Sequence, residues 1–219
     1  MASSPSALTP AQKSLIRAFF ERTDAFFLTG GSALAGYYLD HRTSADLDLF
    51  TVQGAVFPHG KRILEDAVRS LGGTAEVVRE YPGFAELRAT FGDGSLKVDL
   101  VHETVAQVRT EKPRFDGAVI DSVEDIAANK FCAIVGRSEI RDYVDLVFLD
   151  RAGHDIDEAI RRARDKDAGV EPATLAWILG QVRVRNIPTT LLKPLTVAEL
   201  QSFVDQLAER LAREAFPRR

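Results

Sequence analysis

The sequence predicts an α+β protein in which a sheet-bearing N-terminal lobe is followed by a helical C-terminal lobe. Two observations lead to this fold class. Apolar and alternating runs typical of strands all lie before Pro113, and apolar residues recur at helical spacing through most of the chain after it. A soft boundary near residues 110–120 therefore divides the chain into lobes at 1–115 and 116–219.

The first lobe begins with a strand–turn–helix–strand–helix arrangement. Thr9 and Pro10 predict the N-cap and the first position of a preceding helix, because proline is favoured at that first position. We expect a strand at 26–29, a glycine turn at 30–31 and a helix at 32–39. A second strand is expected at 46–52 and a second helix at about 61–71.

Three further strand-like runs follow, at 74–81, 84–91 and 96–101. The last two flank Gly92-Asp93-Gly94-Ser95, which is typical of a tight hairpin turn. With Asp93-Gly94 as the loop, alternation places Arg88 opposite Asp99 and Lys97 beside them on the polar face. The second lobe is expected to contain helices at about 123–136, 139–151, 155–167, 172–184 and 196–214.

Composition limits the classes of function. The 219 residues are 45% hydrophobic and 27% charged, as in an ordinary globular protein with a core. The net charge of −4 means that any nucleic-acid binding must be local. A lone cysteine, Cys132, excludes an internal disulfide, and the histidines lack zinc-ligand spacing. With neither a signal peptide nor an apolar run of about 20 residues, we expect a cytoplasmic protein without a membrane partner.

Three carboxylates are candidates for metal binding. Asp46 and Asp48 lie two residues apart on a predicted strand and therefore project to one face, where they could share divalent cations. Asp99 on a later strand could share a metal and help to deprotonate an acceptor hydroxyl. The alternatives are a solvated polar face for the pair and a cross-strand salt bridge with Arg88 for Asp99, and both stay open.

A glycine turn precedes these acids in the chain. Gly30 and Gly31 come before Ser32 at the start of a predicted helix, where backbone N–H groups and a hydroxyl suit a triphosphate. The alternative is a plain strand–helix connection with Ser32 as the N-cap. Arg42 and Ser44, just upstream of the acids, are either loop residues or nucleotide contacts.

One lysine lies within the apolar stripe of a predicted helix. Lys130 is four residues from both Ile126 and Ile134, so its ammonium must reach solvent or find a partner. It is a candidate phosphate ligand, and the alternative is a snorkelling or salt-bridged lysine. Asp142 and Asp145 share a face of the next helix and either position this lysine, touch a metal or belong to an ion-pair network.

A last cluster is basic. Arg161, Arg162 and Arg164 allow a local RNA-binding surface, although acidic neighbours dilute their charge.

The order of these motifs resembles that of the nucleotidyltransferase superfamily that includes polymerase beta. The stretches TGGSALAGYYLDHRTSADLDLF and SVEDIAANKFCAIVGRSEIRDYVDLVFL further resemble the AbiEii/AbiGii toxin family of bacterial nucleotidyltransferases. The similarity covers about residues 25–150, and the C-terminal third matches only as a helical region.

This resemblance implies a mixed-sheet catalytic lobe flanked by helices, a helical lobe that completes the nucleotide site, and transfer of a nucleoside monophosphate from an NTP. Gly31 and Ser32 would hold the triphosphate, Asp46 and Asp48 would bind Mg²⁺ in a two-ion site, and Lys130 would contact phosphates. Asp142, with Asp145 nearby, matches a later acidic motif. Some relatives are toxins of toxin–antitoxin pairs that modify tRNA.

The leading hypothesis is therefore an Mg²⁺-dependent nucleotidyltransferase that acts on tRNA or another RNA and has a cognate antitoxin. Two alternatives stay open. One is an enzyme that nucleotidylates a small molecule such as an antibiotic, and the other is a catalytically silent protein of the same fold that binds nucleotides or a partner.

Overall fold

The computed structural model describes residues 6–92 and 94–216, so Asp93 of the predicted hairpin turn lies outside the described residues. Contacts divide the chain into two units. The first comprises the chain up to Val105 together with Arg109–Ser122, and the second comprises Ala106–Val108 and the chain from Val123 onward. Residues 116–122, which the predicted boundary assigns to the helical lobe, thus make their contacts in the first unit.

A five-stranded sheet forms the centre of the first unit. Its strands are β1 to β5 in chain order, at Phe27–Thr29, Asp46–Thr51, Thr74–Tyr81, Phe84–Phe91 and Gly94–His102. Their order across the sheet is β1-β2-β5-β4-β3, with β2 and β5 parallel and the other neighbours antiparallel. The predicted α+β fold with a mixed sheet is confirmed.

One face of this sheet is apolar because the strands alternate with period two. Leu47 and Leu49 of β2 are buried, as are Val98 and Leu100 of β5, whereas Asp46 and Asp48 are only half-buried. The intervening residues therefore share the opposite face, which carries the charged side chains.

Three described α-helices precede or separate these strands. Helix α1, Pro10–Phe20, begins at a capping box in which Thr9 and Gln12 each accept from the other's backbone. Helix α2, Gly30–Ala33, continues directly as a π-helix over Leu34–Leu39, and α3 covers Gly60–Ser70. The predicted turn at 30–31 is wrong, because the helix already begins at Gly30.

A small hairpin completes the first unit. Strands β6, Arg114–Phe115, and β7, Ala118–Val119, pair antiparallel, and Ile120 bridges to Leu28 of β1. These short strands are not among the predicted elements, because they have no long alternating pattern.

Five helices are described in the second unit, close to the predicted positions. They are α4 to α8, at Val123–Gly136, Ile140–Arg151, Ile156–Lys166, Pro172–Gln181 and Val197–Ala215. Their fully buried core includes Phe131, Ile134, Leu146, Leu175 and Leu200. No described helix is both long and apolar enough to cross a membrane.

The β4–β5 register differs from the prediction by two residues. Phe91 pairs with Gly94, which places Glu86 and not Arg88 opposite Asp99. Arg88 instead donates to Glu76 on β3 at 2.7 Å. Because a shift of two leaves every side chain on the same face, the polar face is as predicted although its cross-strand pairs are not.

Candidate active site

Three carboxylates lie on the charged face of the sheet. Asp48 of β2 is the direct partner of Asp99 on β5 in the parallel register, and Asp46 is the partner of Lys97. Partner residues of a parallel pair project to the same side, and neighbouring strands are about 4.8 Å apart. The structure therefore places Asp46, Asp48 and Asp99 on one face, and we call these three residues the acid face.

Lys97 is the cation next to Asp99 on this face. Its Nζ donates to Asp99 Oδ2 at 2.7 Å. Partial burial would lower the pKa of Lys97, but the hydrogen bond to Asp99 and the charges of Asp99 and Asp46 raise it. The salt-bridge alternative for Asp99 thus has Lys97 as its partner, and the expected pairing with Arg88 is wrong. The spacing of Lys97 and Asp99, two residues apart on one strand, could have revealed this contact.

The second oxygen of Asp99 differs from the first. Asp99 Oδ1 is buried and has no hydrogen-bond partner among the described residues. Burial raises the pKa of this carboxyl, and Lys97 opposes the shift only in part. A buried carboxylate oxygen without a donor is costly, and a divalent cation or an acceptor hydroxyl would satisfy it.

The donors of the acid face fit a hard cation such as Mg²⁺, which prefers carboxylate oxygens. Within residues 6–92 and 94–216, no three histidine, cysteine, aspartate or glutamate side chains are arranged as a preformed metal centre. The carboxylates would therefore have to reorient around an ion. Lys97 would have to release Asp99 or remain bonded to it while Asp99 binds the ion.

Gly30 brings the start of α2 against the acid face. Thr29 is the partner of Asp48 in the antiparallel β1–β2 register, and Gly30 follows with a φ of +66°. A Cβ built on Gly30 would lie 2.3 Å from Asp48 Oδ2. Glycine is therefore required both for the backbone conformation and for the close approach of the carboxylate.

Gly31 makes a similar approach to an arginine. A Cβ on Gly31 would lie 2.5 Å from Nη2 of Arg42, a residue that is only 4% exposed. Nη1 of Arg42 donates to the Thr43 carbonyl at 3.0 Å. The guanidinium thus lies beside the first turn of α2, whose N–H groups have no acceptor within the helix.

Ser32 is fully buried within this first turn. Its hydroxyl donates to the Thr29 carbonyl at 3.3 Å. The alternative that Ser32 is the N-cap is wrong, because Thr29 occupies that position. Ser44 is held through its backbone, since its carbonyl accepts from Gln12 Nε2 at 2.8 Å.

Asp121 fixes the strand that leads into α2, and no local sequence pattern around Asp121 predicts this role. Its carboxylate accepts from Thr29 Oγ1 at 2.6 Å and from Lys112 Nζ at 2.7 Å. Its carbonyl accepts from the Tyr38 hydroxyl at 2.7 Å. Both ends of the helix that follows β1 are therefore tied to one buried aspartate.

The second unit contains the other predicted site residues. Lys130 Nζ lies 2.9 Å from Asp142 Oδ1 and 2.6 Å from Asp145 Oδ2, and both acids are completely buried. Arg137 also donates to both oxygens of Asp142. We call Lys130, Arg137, Asp142 and Asp145 the buried ion cluster. The cluster has the geometry of the ion-pair network that was the alternative interpretation of these residues. Phosphate contact by Lys130 stays a prediction.

The electrostatics of the buried ion cluster are balanced. Burial alone would raise the pKa of Asp142, but the charge of Lys130 and the hydrogen bond from Arg137 outweigh it, so the pKa is lowered. Asp142 is therefore ionised at neutral pH and holds the lysine ammonium in place.

Comparisons with known proteins identify the family of the chain and proteins of similar fold. The chain matches the family model for "Nucleotidyl transferase AbiEii toxin, Type IV TA system" over residues 14–218. No curated protein matches it at a significant level.

Two solved structures are similar in fold. JHP933 from Helicobacter pylori is 21% identical, with 92% of this chain and 90% of that chain covered and a TM-score of 0.59. The nucleotidyltransferase toxin MenT4 from Mycobacterium tuberculosis is 15% identical, with 92% and 82% covered and a TM-score of 0.57.

Proposed function

Since this chain belongs to the AbiEii family of nucleotidyl transferase toxins, we propose that it transfers a nucleoside monophosphate from an NTP to a hydroxyl of tRNA, with Mg²⁺ as cofactor. The observation that carries this proposal is the parallel register that sets Asp48 beside Asp99, with Asp46 on the same face. The same family description is the reason to propose a cognate antitoxin.

Asp46, Asp48 and Asp99 would hold the metal ions. Two-ion sites of phosphoryl-transfer enzymes use carboxylates that can bridge cations about 3.5–4 Å apart. When bound, the ions would neutralise charge on the triphosphate and favour the ionised acceptor hydroxyl. The buried, unsatisfied Oδ1 of Asp99 supports this assignment, because it lacks a donor among the described residues.

The start of α2 would bind the triphosphate. The N–H groups of Gly30, Gly31 and Ser32 lie in the first helical turn, where an anion is favoured. Arg42 adds a guanidinium that lies against Gly31. Ser44 lies just before β2, and its backbone would help to place that strand beside the nucleotide.

Lys130 would contact phosphate oxygens. Asp142 and Asp145 would keep its ammonium charged and fixed, because both carboxylates lie within 3 Å of Nζ. These acids would act as positioning residues that do not themselves touch the nucleotide.

The proposed reaction is a displacement at the α-phosphorus. The acceptor hydroxyl oxygen forms a bond to this phosphorus, the bond to the bridging oxygen of the β-phosphate breaks, and pyrophosphate leaves. Asp99 would accept the proton of the hydroxyl.

A small-molecule acceptor is the second candidate. The net charge of −4 favours it, because an acidic protein gains no general attraction for RNA. The outcome depends on whether the chain has a local basic surface.

The test is incubation with each α-labelled NTP, Mg²⁺ and total tRNA. We expect label in tRNA, and we expect Asp48→Asn to abolish it. Glu76→Gln is the matched control, because Glu76 is an exposed carboxylate on the same sheet. If label appears only in small molecules, the acceptor is a small molecule and not tRNA. If no acceptor is labelled, the proposed activity is rejected.

A further inference from the structure

A cavity of about 560 Å³ lies in the first unit, away from the residues assigned above. It is formed by α1, the π-helix and the β6–β7 hairpin. The residues that define its chemistry are Lys13, Arg17, Tyr37, Arg114, Phe115 and Asp116. Its volume falls within the range of small-ligand sites. We call it the basic cavity.

The charge of the basic cavity sets it apart from two others of the described chain. Its lining has three cations and one carboxylate. The cavity lined by Arg161, Arg162 and Arg164 has three acids as well, and Glu158 and Glu171 pair with these arginines. A third cavity, near Arg210, has two arginines and two acids. The basic cavity is thus a local positive site on a protein of net charge −4.

Two of its cations are free of carboxylates within the described residues. Lys13 donates to the Ser6 hydroxyl at 2.9 Å, and no ion pair is described for Arg17. Arg114 differs, since it pairs with Asp24 at 3.2 Å. Lys13 and Arg17 lie four residues apart and therefore share a face of α1. They can bind two successive anionic groups.

Aromatic rings lie beside these cations. The rings of Tyr37 and Phe115 are 5.7 Å apart and inclined by 43°, and Tyr38 packs edge-on against Phe115. Tyr37 and Phe115 are only partly buried, so part of each ring is accessible. Aromatic rings next to cations are the usual platform for bases of single-stranded nucleic acid.

The backbone around the basic cavity is fixed in position. Tyr37 lies in the π-helix, a form that occurs often at functional sites. Gly36 allows Leu8 to pack closely, since a Cβ there would lie 2.4 Å from Leu8 Cδ1. The β6–β7 turn has positive φ at Asp116 and Gly117, as a tight hairpin requires.

We infer that the basic cavity binds single-stranded RNA, with a base against Tyr37 and phosphates on Lys13 and Arg17. This inference rests on the proposed function, because it assigns the RNA-binding surface of the acceptor. The helix that starts at Gly30 beside Asp48 reaches the cavity at Tyr37, roughly 10 Å along its axis.

The test is fluorescence anisotropy with a labelled ten-nucleotide RNA, without NTP or metal. The double variant Lys13→Gln/Arg17→Gln is expected to weaken binding at least tenfold and to reduce the salt slope by about 1.4. Arg161→Gln/Arg162→Gln, with the same loss of charge, is expected to bind like wild type. Tyr37→Leu is expected to weaken binding about 5- to 100-fold, and Tyr37→Phe to retain it.

Thermal unfolding of each variant confirms that it is folded. The inference is overturned if the α1 double variant binds RNA as tightly as wild type, or if both double variants weaken binding equally. It is also overturned if AMP binds the basic cavity and the RNA does not.

Measurement of both RNA binding and nucleotidyl transfer on the wild type and the cavity variants separates the two proposals. Cavity-dependent RNA binding without any nucleotidyl transfer would keep this inference and reject the proposed activity. Transfer to tRNA with unchanged RNA binding in the cavity variants would keep the activity and reject this inference.

Discussion

Gly30 and Asp48 are in such close contact that a single added carbon on Gly30 would overlap the Asp48 carboxylate, 2.3 Å from Oδ2. The glycine also has a φ of +66°, which strains any other residue. Both the backbone at the start of α2 and the position of the Asp48 carboxylate therefore require that residue 30 has a hydrogen atom in place of a Cβ.

We expect Gly30→Ala to abolish nucleotidyl transfer, because Asp48 must move. The backbone strain alone should lower the free energy of unfolding by about 1 kcal/mol. Gly72→Ala is the matched control, since Gly72 has a φ of +77° and nothing within 4 Å of an added Cβ. It should lose similar stability and keep its activity. Equal loss of activity in both variants would remove the special role of Gly30.

Lys130→Met should lower the free energy of unfolding by about 3–5 kcal/mol, because it leaves two buried carboxylates without their lysine. The matched control is Lys166→Met. Lys166 forms a second buried pair in the same unit, 2.8 Å from Asp125, and has no proposed contact with the nucleotide.

The two lysine variants test phosphate contact by Lys130. Under conditions where both are folded, NTP binding measured by calorimetry should be lost in Lys130→Met and kept in Lys166→Met. If both variants bind NTP equally well, Lys130 has only a structural role.

Stability should depend on pH through Asp142. Its pKa is lower in the folded chain than in the unfolded chain, so its contribution is present above the unfolded value and lost as the pH falls through the folded value. Urea unfolding should show this loss below about pH 4. Asp142→Asn should flatten that part of the profile, and an unchanged slope would assign it to other carboxyls.

Lys97→Met should strengthen binding of Mn²⁺, because it removes the ammonium that donates to Asp99 Oδ2. For this partly exposed pair the gain should be at most about fivefold. Electron paramagnetic resonance of free Mn²⁺ measures it directly. Lys97→Arg keeps the charge and should bind Mn²⁺ like wild type. Weaker binding in Lys97→Met would show that Lys97 positions Asp99 for the metal.

Much of the fold followed from periodicity alone. Strands 74–81 and 84–91 were predicted at their observed bounds, because alternation and turn residues are local signals. The register between β4 and β5 was not, since a shift of two residues preserves the alternating pattern. For the same reason the polar face of Asp99 was predicted and its partner was wrong.

Contacts between segments that are distant in the chain could not be predicted from local sequence patterns. Asp121 pairs with Lys112 and with Thr29, and nothing near Asp121 in the chain indicates the second contact. The π-helix was also missed, because its apolar spacing resembles that of an α-helix. The roles of Asp46, Asp48, Asp99 and Lys130 stay predictions until the experiments above are done.

The parallel pairing of β2 with β5 also sets the time at which the acid face can form during synthesis. Asp46 and Asp48 leave the ribosome well before Asp99, and β5 is the strand that joins β2 to β4. A nascent chain that ends before β5 has no parallel neighbour for β2 and lacks one carboxylate. The parallel pair and the third carboxylate of the acid face therefore form only after the central strand has been synthesised.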